Sequence, residues 1–399
     1  MASHGIRDRV AIVGMGCTRF GELWDKSTSD LVVEAAQQCL ESAGVDNDVI
    51  DAYWVGTMDS GYAGLTLSTA LKAGYRPVTR VENLCATGSE AFRNACYAVA
   101  SGAYDVAMAL GVEKLKDSGY SGLVRRDPPD DGTGADTTAP AAFSYIVPAY
   151  ASTYGVDDAT MRQVLTHIAV KNHANGALNE RAQFRQPVTP EMVSNAPLVA
   201  GALGVFDCSG VADGAAAALV VRAEDAHKYT DRPLYVKALS VVAGRGDTLL
   251  DDAGSFVSFP EVVECAREAY RQAGVTNPRE QISLAEVHDC FTPTELVLME
   301  DLGFADRGKA WRDVLDGAFD RDGRLPVNVD GGLKAFGHPV GASGLRMLFE
   351  CWLQMRGEAG PRQLPNPTLG LTHNLGGRPG RCVSFIGLVG REPSGKTEA

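Results

Sequence analysis

The sequence predicts an α/β fold with parallel strands, and three observations support this prediction. Apolar strand-like runs and helix-like segments alternate from "RVAIVGMG" to "AYDVAMALGVEK", which ends at residue 114. A second alternating series begins near residue 231 with "RPLYVKALSVVAG" and closes on "RCVSFIGLV". The chain also has 44 glycines among 399 residues, as expected for many tight turns between strands and helices. The similar element order of the two series indicates an internal duplication, although the residues themselves do not repeat.

The first series opens with "RVAIVGMGCTRFG", a buried strand followed by a glycine turn. Its first two glycines resemble the start of a dinucleotide fingerprint, but Arg19 stands where the third glycine belongs, which argues against a dinucleotide-binding Rossmann site. The segment "SDLVVEAAQQCLESAGV" predicts a helix that is capped by Ser29 or Asp30 and ends at Gly44. The run "DAYWVGTM" follows as the next strand.

A different composition separates the two series. Residues 122–142 are rich in proline, glycine, aspartate and threonine, which predicts a mobile surface loop. Residues 143–206 contain longer helical patterns, which we interpret as a helical insertion laid over the sheet. The strand "DGAAAALVV" then resumes the sheet at residues 213–221.

Charge and composition exclude several classes of function. The formal net charge of -13 argues against a nucleic-acid groove or an anionic membrane surface as the main partner. The beginning of the sequence lacks the apolar core of a signal peptide and no run approaches the ~20 apolar residues of a membrane span, so we expect a cytoplasmic protein. The nine cysteines never form a C-x-x-C pair, so the sequence suggests neither a disulfide framework nor a structural zinc site.

Cys85 in "VENLCATGSE" is the first candidate for chemistry. Thr87 and Glu90 have the spacing of a capping box, which predicts that a helix begins just after Cys85. Unpaired amides and the helix dipole at such a position favour the thiolate and lower the pKa of a thiol. The alternative is a small buried residue at the end of a strand, and the local pattern does not decide between the two.

Two further segments carry candidate acid and base groups. In "ISLAEVHDCFTPTE", His288 and Cys290 lie two apart on a predicted strand and therefore point to the same side, and a helix should begin right after Phe291. In "GGLKAFGHPVGASG", Pro339 restricts the backbone of His338 within a glycine-rich loop, which suits a general base. A loop histidine bonded to solvent is the alternative for His338. The glycines of "THNLGGRPG" offer amides to an oxyanion.

Four motifs together, "NLCATGSEA", "DCSGVADGAAA", "HDCF" and "GGLKAFGHPVGASG", resemble the thiolase family. The resemblance is to the sterol-carrier-protein-2-like or lipid-transfer branch, and it spans the chain from "VAIVGMGCTRFG" to "CVSFIGLV". It implies an α/β thiolase fold, in which two similar βαβαβαββ halves form five layers (αβαβα) and a helical loop domain is inserted. The implied boundaries are residues 1–117 and 207–230 for the N-terminal half, 118–206 for the insertion and 231–399 for the C-terminal half.

The resemblance also implies roles for individual residues. Cys85 is expected to be the nucleophile that accepts the acyl group, and His338 the base that activates it. Cys290 is expected to be the second acid and base, with His288 and His338 as donors to the enolate oxygen of the thioester. The backbone amides of Cys85 and Gly376 are expected to hold the tetrahedral oxyanion.

The implied function is that of an acyl-CoA acyltransferase, or thiolase, in lipid metabolism. It would cleave a 3-ketoacyl-CoA with CoA, or run the reverse Claisen condensation, with coenzyme A as substrate and without a cofactor or metal. We expect a homodimer or a dimer of dimers, and a small OB-fold or zinc-ribbon protein as a possible partner. A retro-aldol lyase of side-chain CoA thioesters and a partner-dependent acyltransferase subunit are the alternatives. The complete set of Cys85, Cys290 and His338 favours the thiolase.

Overall fold

A computed structural model describes residues 4–116, 138–245 and 256–394. In these ranges nine strands form one mixed sheet and two more form a hairpin. The strands are β1 (Val10–Cys17), β2 (Ala52–Gly56), β3 (Val78–Val81), β4 (Val106–Glu113), β5 (Leu198–Ala200), β6 (Leu203–Gly204), β7 (Gly214–Arg222), β8 (Leu234–Ala243), β9 (Leu284–Glu286), β10 (Leu369–Arg378) and β11 (Arg381–Gly390).

Helices cover the sheet and fill the space between its two halves. They are α1 (Thr28–Ala43), α2 (Leu65–Leu71), α3 (Thr87–Ala100), α4 (Ala139–Ser144), α5 (Ile146–Tyr154), α6 (Asp158–Ala177), α7 (Pro190–Ser194), α8 (Pro260–Ala273), α9 (Pro278–Gln281), α10 (Thr292–Asp301), α11 (Ala310–Leu315), α12 (Gly332–Phe336) and α13 (Ser343–Arg356). Among the described residues, no helix combines the length and the apolar character needed to cross a bilayer.

The strand order repeats, which explains the similar patterns of the two series. In the first half β1 lies antiparallel to β7, β7 antiparallel to β4, and β4 parallel to β2. In the second half β8 lies antiparallel to β11, β11 antiparallel to β10, and β10 parallel to β9. The halves join where β1 meets β8 through two residue pairs, Ala11 with Tyr235 and Ile12 with Leu234.

Three apolar clusters define the layers. One cluster packs α1 and α2 against the first half-sheet, and another packs α8 and α10 against the second. The cluster between them contains α3 and α13 together with side chains from both half-sheets. The layer order is therefore helix, sheet, helix, sheet, helix, as the predicted α/β fold of five layers requires.

The central helices α3 and α13 are equivalent elements of the two halves, and each is 14 residues long. Their starts also correspond in sequence, because "CATG" at residues 85–88 matches "GASG" at residues 341–344. Two of these four positions, the alanine and the last glycine, are identical in the two segments. The backbones of the two helix starts are in contact, because a Cβ added to Gly88 would lie 2.6 Å from the carbonyl oxygen of Gly341. A Cβ added to Gly111 of β4 would lie 2.2 Å from the same oxygen.

The predicted elements are mostly found, with four differences. Helix α1 is capped by Ser27 rather than by Ser29 or Asp30, and it ends at Gly44 as predicted. Helix α4 begins inside the predicted loop 122–142, of which residues 122–137 lie outside the described residues. The hairpin of β5 and β6 was not predicted. Strand β9 stops at Glu286, earlier than predicted, because the Val287 amide donates to the side chain of Asn328 instead of to a strand.

A buried carboxylate at the end of β4 connects the two halves. Glu113 accepts hydrogen bonds from the amides of Met58, Asp59 and Ser60 at 2.9 to 3.0 Å. The hydroxyls of Thr57 and Ser60 also donate to it, both at 2.8 Å. The amide of Gly341, in the loop that contains His338, donates to the same carboxylate at 3.0 Å. Glu113 thus fixes this loop against the first half.

We expect Glu113→Gln to lower the free energy of unfolding by about 3 kcal/mol, because an NH₂ group would face amide donors that now bind a carboxylate. Urea denaturation followed by circular dichroism measures this change. The matched variant Glu264→Gln alters a surface glutamate that pairs with Arg267, and it should leave the unfolding free energy nearly unchanged. Equal stability of the two variants would contradict the role of Glu113.

Candidate active site

Cys85 lies in a tight turn between β3 and α3. The preceding residue, Leu84, adopts a left-handed backbone with φ of 51°. A non-glycine residue in this region is strained, and such strain is often found where a reactive side chain must be aimed. Helix α3 starts two residues later, at Thr87, so the thiol stands directly before the first turn of a central helix.

The predicted capping box at this helix is wrong, although the helix begins where expected. The Thr87 hydroxyl accepts the Asn83 amide at 2.8 Å, so it closes the turn around Cys85 instead of capping α3. The Glu90 carboxylate binds Arg93 and Asn94. Helix α10 begins after Phe291, as predicted, and it likewise has no side-chain cap.

The expected low pKa of Cys85 is also contradicted. Partial burial, followed by the negative charges of Glu82 and Glu113, raises the pKa of the thiol to about 12. The amide of Cys85 itself acts in the opposite direction but does not compensate. Cys85 is therefore a neutral thiol at pH 7, and it needs a base before it can attack a carbonyl carbon.

His338 is presented as a neutral base. Its Nδ1 lies 2.7 Å from the Ser343 hydroxyl, which donates its own hydrogen to the Pro339 carbonyl at 3.0 Å. Nδ1 must therefore carry a hydrogen, which leaves the lone pair on Nε2. Nε2 is buried and has no hydrogen-bond partner among the described residues. Burial, and then the charge of Arg346, lowers the pKa of His338 to about 3.

The structure brings Cys85, His288 and His338 together from three distant segments. The Cys85 sulfur and one ring nitrogen from each histidine all lie within 4.8 Å of one another. The two imidazole rings meet edge to face, with centroids 5.4 Å apart. Burial and the neighbouring His338 lower the pKa of His288 well below its usual range, so this ring too is neutral and able to donate one N–H.

Cys290 lies beside this cluster on the segment that follows β9. The residue is 4% exposed, and its sulfur is 3.8 Å from the Thr294 hydroxyl. Burial, and then the nearby Cys85 thiol, raises the pKa of Cys290 well above its usual range. The Ser209 amide donates to the Cys290 carbonyl at 2.8 Å, which fixes this segment against the "DCSG" motif. Cys290 is thus a protonated thiol next to the Cys85 cluster.

Gly376 of β10 lies against the turn that holds Cys85. A Cβ added to it would stand 2.5 Å from the Asn83 carbonyl oxygen and 3.2 Å from the Cys85 nitrogen. Only glycine allows the two backbones to approach this closely. The amides of Cys85 and Gly376 therefore belong to one small region, as an oxyanion site built from both would require.

We expect Gly376→Ala to slow acylation of Cys85 about a hundredfold, because the added methyl group would push the strand away from the Cys85 amide. Single-turnover kinetics measure this rate. Gly370→Ala is the matched control on the same strand, where the added Cβ would meet the Cys351 sulfur at 2.9 Å. Equal acylation rates in the two variants would show that the close approach of the Gly376 and Cys85 backbones does not matter for acylation.

The Cys85, His288 and His338 set also has donor types that zinc accepts. Histidine ligands usually donate their second ring N–H to an acceptor. Nδ1 of His338 has such a partner in the Ser343 hydroxyl, whereas Nδ1 of His288 is buried and has none among the described residues.

Several residues of the site were not found by sequence reasoning. Ser343 was visible only as one of many small residues, yet it orients His338. Asn374 is fully buried on β10, where its side-chain oxygen accepts the Ser89 hydroxyl of α3 at 2.6 Å. The available signal for Glu113 was a carboxylate at the end of an apolar strand, "VAMALGVE".

Comparisons with known proteins agree with this architecture. The thiolase N-terminal domain matches residues 10–224, and the thiolase C-terminal domain-like family matches residues 248–386. The acetyl-CoA acetyltransferase of Methanothermobacter thermautotrophicus is 40% identical over 391 residues, which cover 94% of this chain and 98% of that protein. Human sterol carrier protein 2 is 32% identical over 394 residues, covering 92% of this chain and 70% of that protein.

A solved structure described as Ltp2-ChsH2(DUF35) aldolase shares the fold, with a TM-score of 0.83 at 24% identity, and covers 98% of this chain and 99% of its own. The matched families together span most of the sequence, and the relatives align along nearly its whole length. The chain therefore belongs to the thiolase family, in the branch that includes sterol carrier protein 2, and is an enzyme of the thiolase acyltransferase type.

Proposed function

We propose that this enzyme transfers acyl groups between CoA thioesters by cleaving a 3-ketoacyl-CoA with CoA, through an acyl-enzyme on Cys85. The observation that carries the proposal is the convergence of the Cys85 sulfur with nitrogens of His288 and His338 within 4.8 Å. A protonated thiol beside neutral imidazoles can become a nucleophile when a substrate arrives, without a permanent charge on the sulfur.

In the first step the Cys85 sulfur attacks the C3 carbonyl carbon while Nε2 of His338 takes the thiol proton. The C2–C3 bond then breaks, leaving a thioester on Cys85 and the enolate of acetyl-CoA. The amides of Cys85 and Gly376 would hold the oxyanion at C3. Losing one such donor typically costs about 3 kcal/mol of transition-state stabilisation.

In the second step Cys290 gives its proton to C2 of the enolate, and acetyl-CoA leaves. Its raised pKa supports this role, because a thiol that stays protonated at neutral pH is available as an acid. N–H groups of His288 and of the protonated His338 would stabilise the enolate oxygen. The Cys290 thiolate then removes the proton of incoming CoA, whose sulfur attacks the acyl-enzyme. The new acyl-CoA leaves as Cys85 recovers its proton from His338.

The test is to incubate the purified enzyme with acetoacetyl-CoA or acetyl-CoA and to measure its intact mass. An added acetyl group that is released on addition of CoA supports the proposal. An unchanged mass with every member of an acyl-CoA panel would overturn it. Repeating the measurement after chelator treatment checks that the reaction uses no metal, since the proposed steps need none.

Retro-aldol cleavage of a side-chain CoA thioester is the second candidate, because an aldolase shares this fold along nearly its whole length. That reaction would take a proton from a 3-hydroxyl group, break C2–C3 and release a ketone or aldehyde beside the same enolate. It needs no nucleophilic thiol. Release of a carbonyl product from a 3-hydroxyacyl-CoA, without a mass increase on Cys85, would favour it.

We also propose that the enzyme works as a homodimer, or as a dimer of dimers. Within the described part of the chain β3 is an edge strand, and exposed Tyr62, Leu65 and Tyr75 stand close to it in the sequence. Exposed apolar side chains beside an unpaired edge favour pairing with a second copy. Size-exclusion chromatography with light scattering measures the molar mass of the assembly and so tests the proposed dimer.

The related aldolase structure pairs Ltp2 with a DUF35 protein, so assays with and without a small OB-fold or zinc-ribbon partner test the partner-dependent alternative.

A further inference from the structure

Asp289 lies between His288 and Cys290, yet the proposed steps give it no part. It is fully buried. Its carboxylate accepts the Leu333 amide at 2.6 Å and the Asn172 side-chain amide at 2.8 Å. Burying a carboxylate costs free energy unless hydrogen bonds compensate for the lost water, so these contacts call for an explanation.

The contact with Leu333 connects two parts of the active site. Leu333 is in the first turn of α12, which ends at Phe336, two residues before His338. A Cβ added to Gly332 would lie 2.3 Å from Oδ2 of Asp289, and Gly332 has a φ of 62° that favours glycine. The start of α12 therefore contacts the Asp289 carboxylate directly, and His338 lies two residues beyond the end of this helix.

A third element holds the carboxylate in place. Asn172 of α6 donates to Asp289 and also to Glu295, both at 2.8 Å. Glu295 in turn accepts the Lys171 ammonium at 2.5 Å and the Asn328 amide at 2.8 Å. These buried hydrogen bonds leave Asp289 little freedom to move, so a shift of α12 would have to break bonds to a fixed partner.

We propose that Asp289 is a positioning residue, which sets the separation of the Cys85 sulfur and the His338 imidazole by tying α12 to the segment of His288 and Cys290. This inference rests on the proposed function of Cys85 and His338. Asp289 acts through the backbone of α12 and exchanges no proton with the substrate. The two oxygens of Asp289 accept hydrogen bonds from two different elements, α12 and α6, which suits this side chain for the task.

Two variants change this contact to different degrees. Asp289→Asn keeps an oxygen for the Leu333 amide, but it turns an NH₂ group toward the NH₂ group of Asn172. Asp289→Ala removes both acceptors. We expect kcat to fall about tenfold in the first and about a hundredfold in the second, because small displacements of catalytic groups have effects of this size. KM for the acyl-CoA should change by less than about twofold, since Asp289 does not touch substrate.

Alkylation of Cys85 by iodoacetamide at neutral pH gives a second readout, which depends on the Cys85–His338 pair but not on turnover. We expect the alkylation rate to fall in the same order as kcat. Asp301→Asn is the matched control, because Asp301 is also a buried carboxylate and accepts the Phe259 amide at 2.7 Å and the Ser258 hydroxyl at 2.8 Å. It should lower the melting temperature but keep both rates.

Wild-type rates in Asp289→Asn would overturn the inference, and so would equal losses in Asp301→Asn. If Asp289→Ala does not fold, Asp289→Asn decides alone. The two proposals fail in different ways. A wild-type enzyme that forms no acyl-enzyme contradicts the proposed function, whereas alkylation of Cys85 still tests whether Asp289 sets the geometry.

Discussion

Cys85→Ala is expected to gain no mass with any acyl-CoA and to lose at least about a thousandfold in thiolytic kcat, because the covalent route through the sulfur disappears. Intact-mass spectrometry and a steady-state assay of 3-ketoacyl-CoA cleavage measure the two effects. The loss should be in kcat rather than in KM, since removing one sulfur leaves the rest of the cleft unchanged.

Cys96→Ala is the matched control for this variant. Cys96 is a fully buried thiol on α3, the same helix that begins after Cys85. Its replacement should lower stability through the lost packing but leave the mass increase intact. A Cys85→Ala enzyme that still cleaves a 3-ketoacyl-CoA at the wild-type rate would exclude the acyl-enzyme.

His338→Ala should slow acylation about a thousandfold at pH 7, because the Cys85 thiol loses the base that receives its proton. The pKa of Cys85, raised to about 12, sets the pH dependence of this variant. Below that pKa the thiolate fraction grows about tenfold for each pH unit, so the rate of His338→Ala should rise with pH from 7 to 10. Single-turnover acylation across this range measures the slope.

The wild-type enzyme should behave differently over the same range. His338, with its pKa lowered to about 3, is already neutral at pH 6, so raising the pH gains no further base and the acylation rate should be nearly flat from pH 6 to 9. His173→Ala is the control, since His173 is another buried histidine, on α6, whose pKa burial lowers to about 4. The His173→Ala variant should keep the flat pH profile of the acylation rate. A wild-type profile as steep as that of His338→Ala would argue against His338 as the base.

Much of the fold was predictable because buried strands of mixed and parallel sheets are continuous apolar runs. "VAMALGVE", "GAAAALVVR" and "RCVSFIGLVG" became β4, β7 and β11 within a few residues of the predicted limits. The hairpin of β5 and β6 was missed because it has only two and three residues per strand, too few for a period to appear.

The candidate residues of the site could be identified from residue type and spacing, but their electrostatics could not. A pattern before a helix predicts a low pKa for Cys85, yet it contains no information on burial or on Glu113, which lies 28 residues away in the sequence. The hydroxyl of Thr87 has two possible uses, and the choice of the Asn83 amide depends on the strained turn at Leu84. Such competition among nearby groups is decided only in three dimensions.

The correspondence of "CATG" with "GASG" also shows where the two halves differ. Cys85 and Gly341 occupy the same place before the central helices, so the repeated architecture carries a thiol on one side only. The second side has no space for a side chain, since a Cβ at residue 341 would fall 2.7 Å from the Val112 carbonyl oxygen. The first half thus contributes the sulfur of the cluster, and the second half contributes the imidazole of His338, one nitrogen of which lies within 4.8 Å of that sulfur.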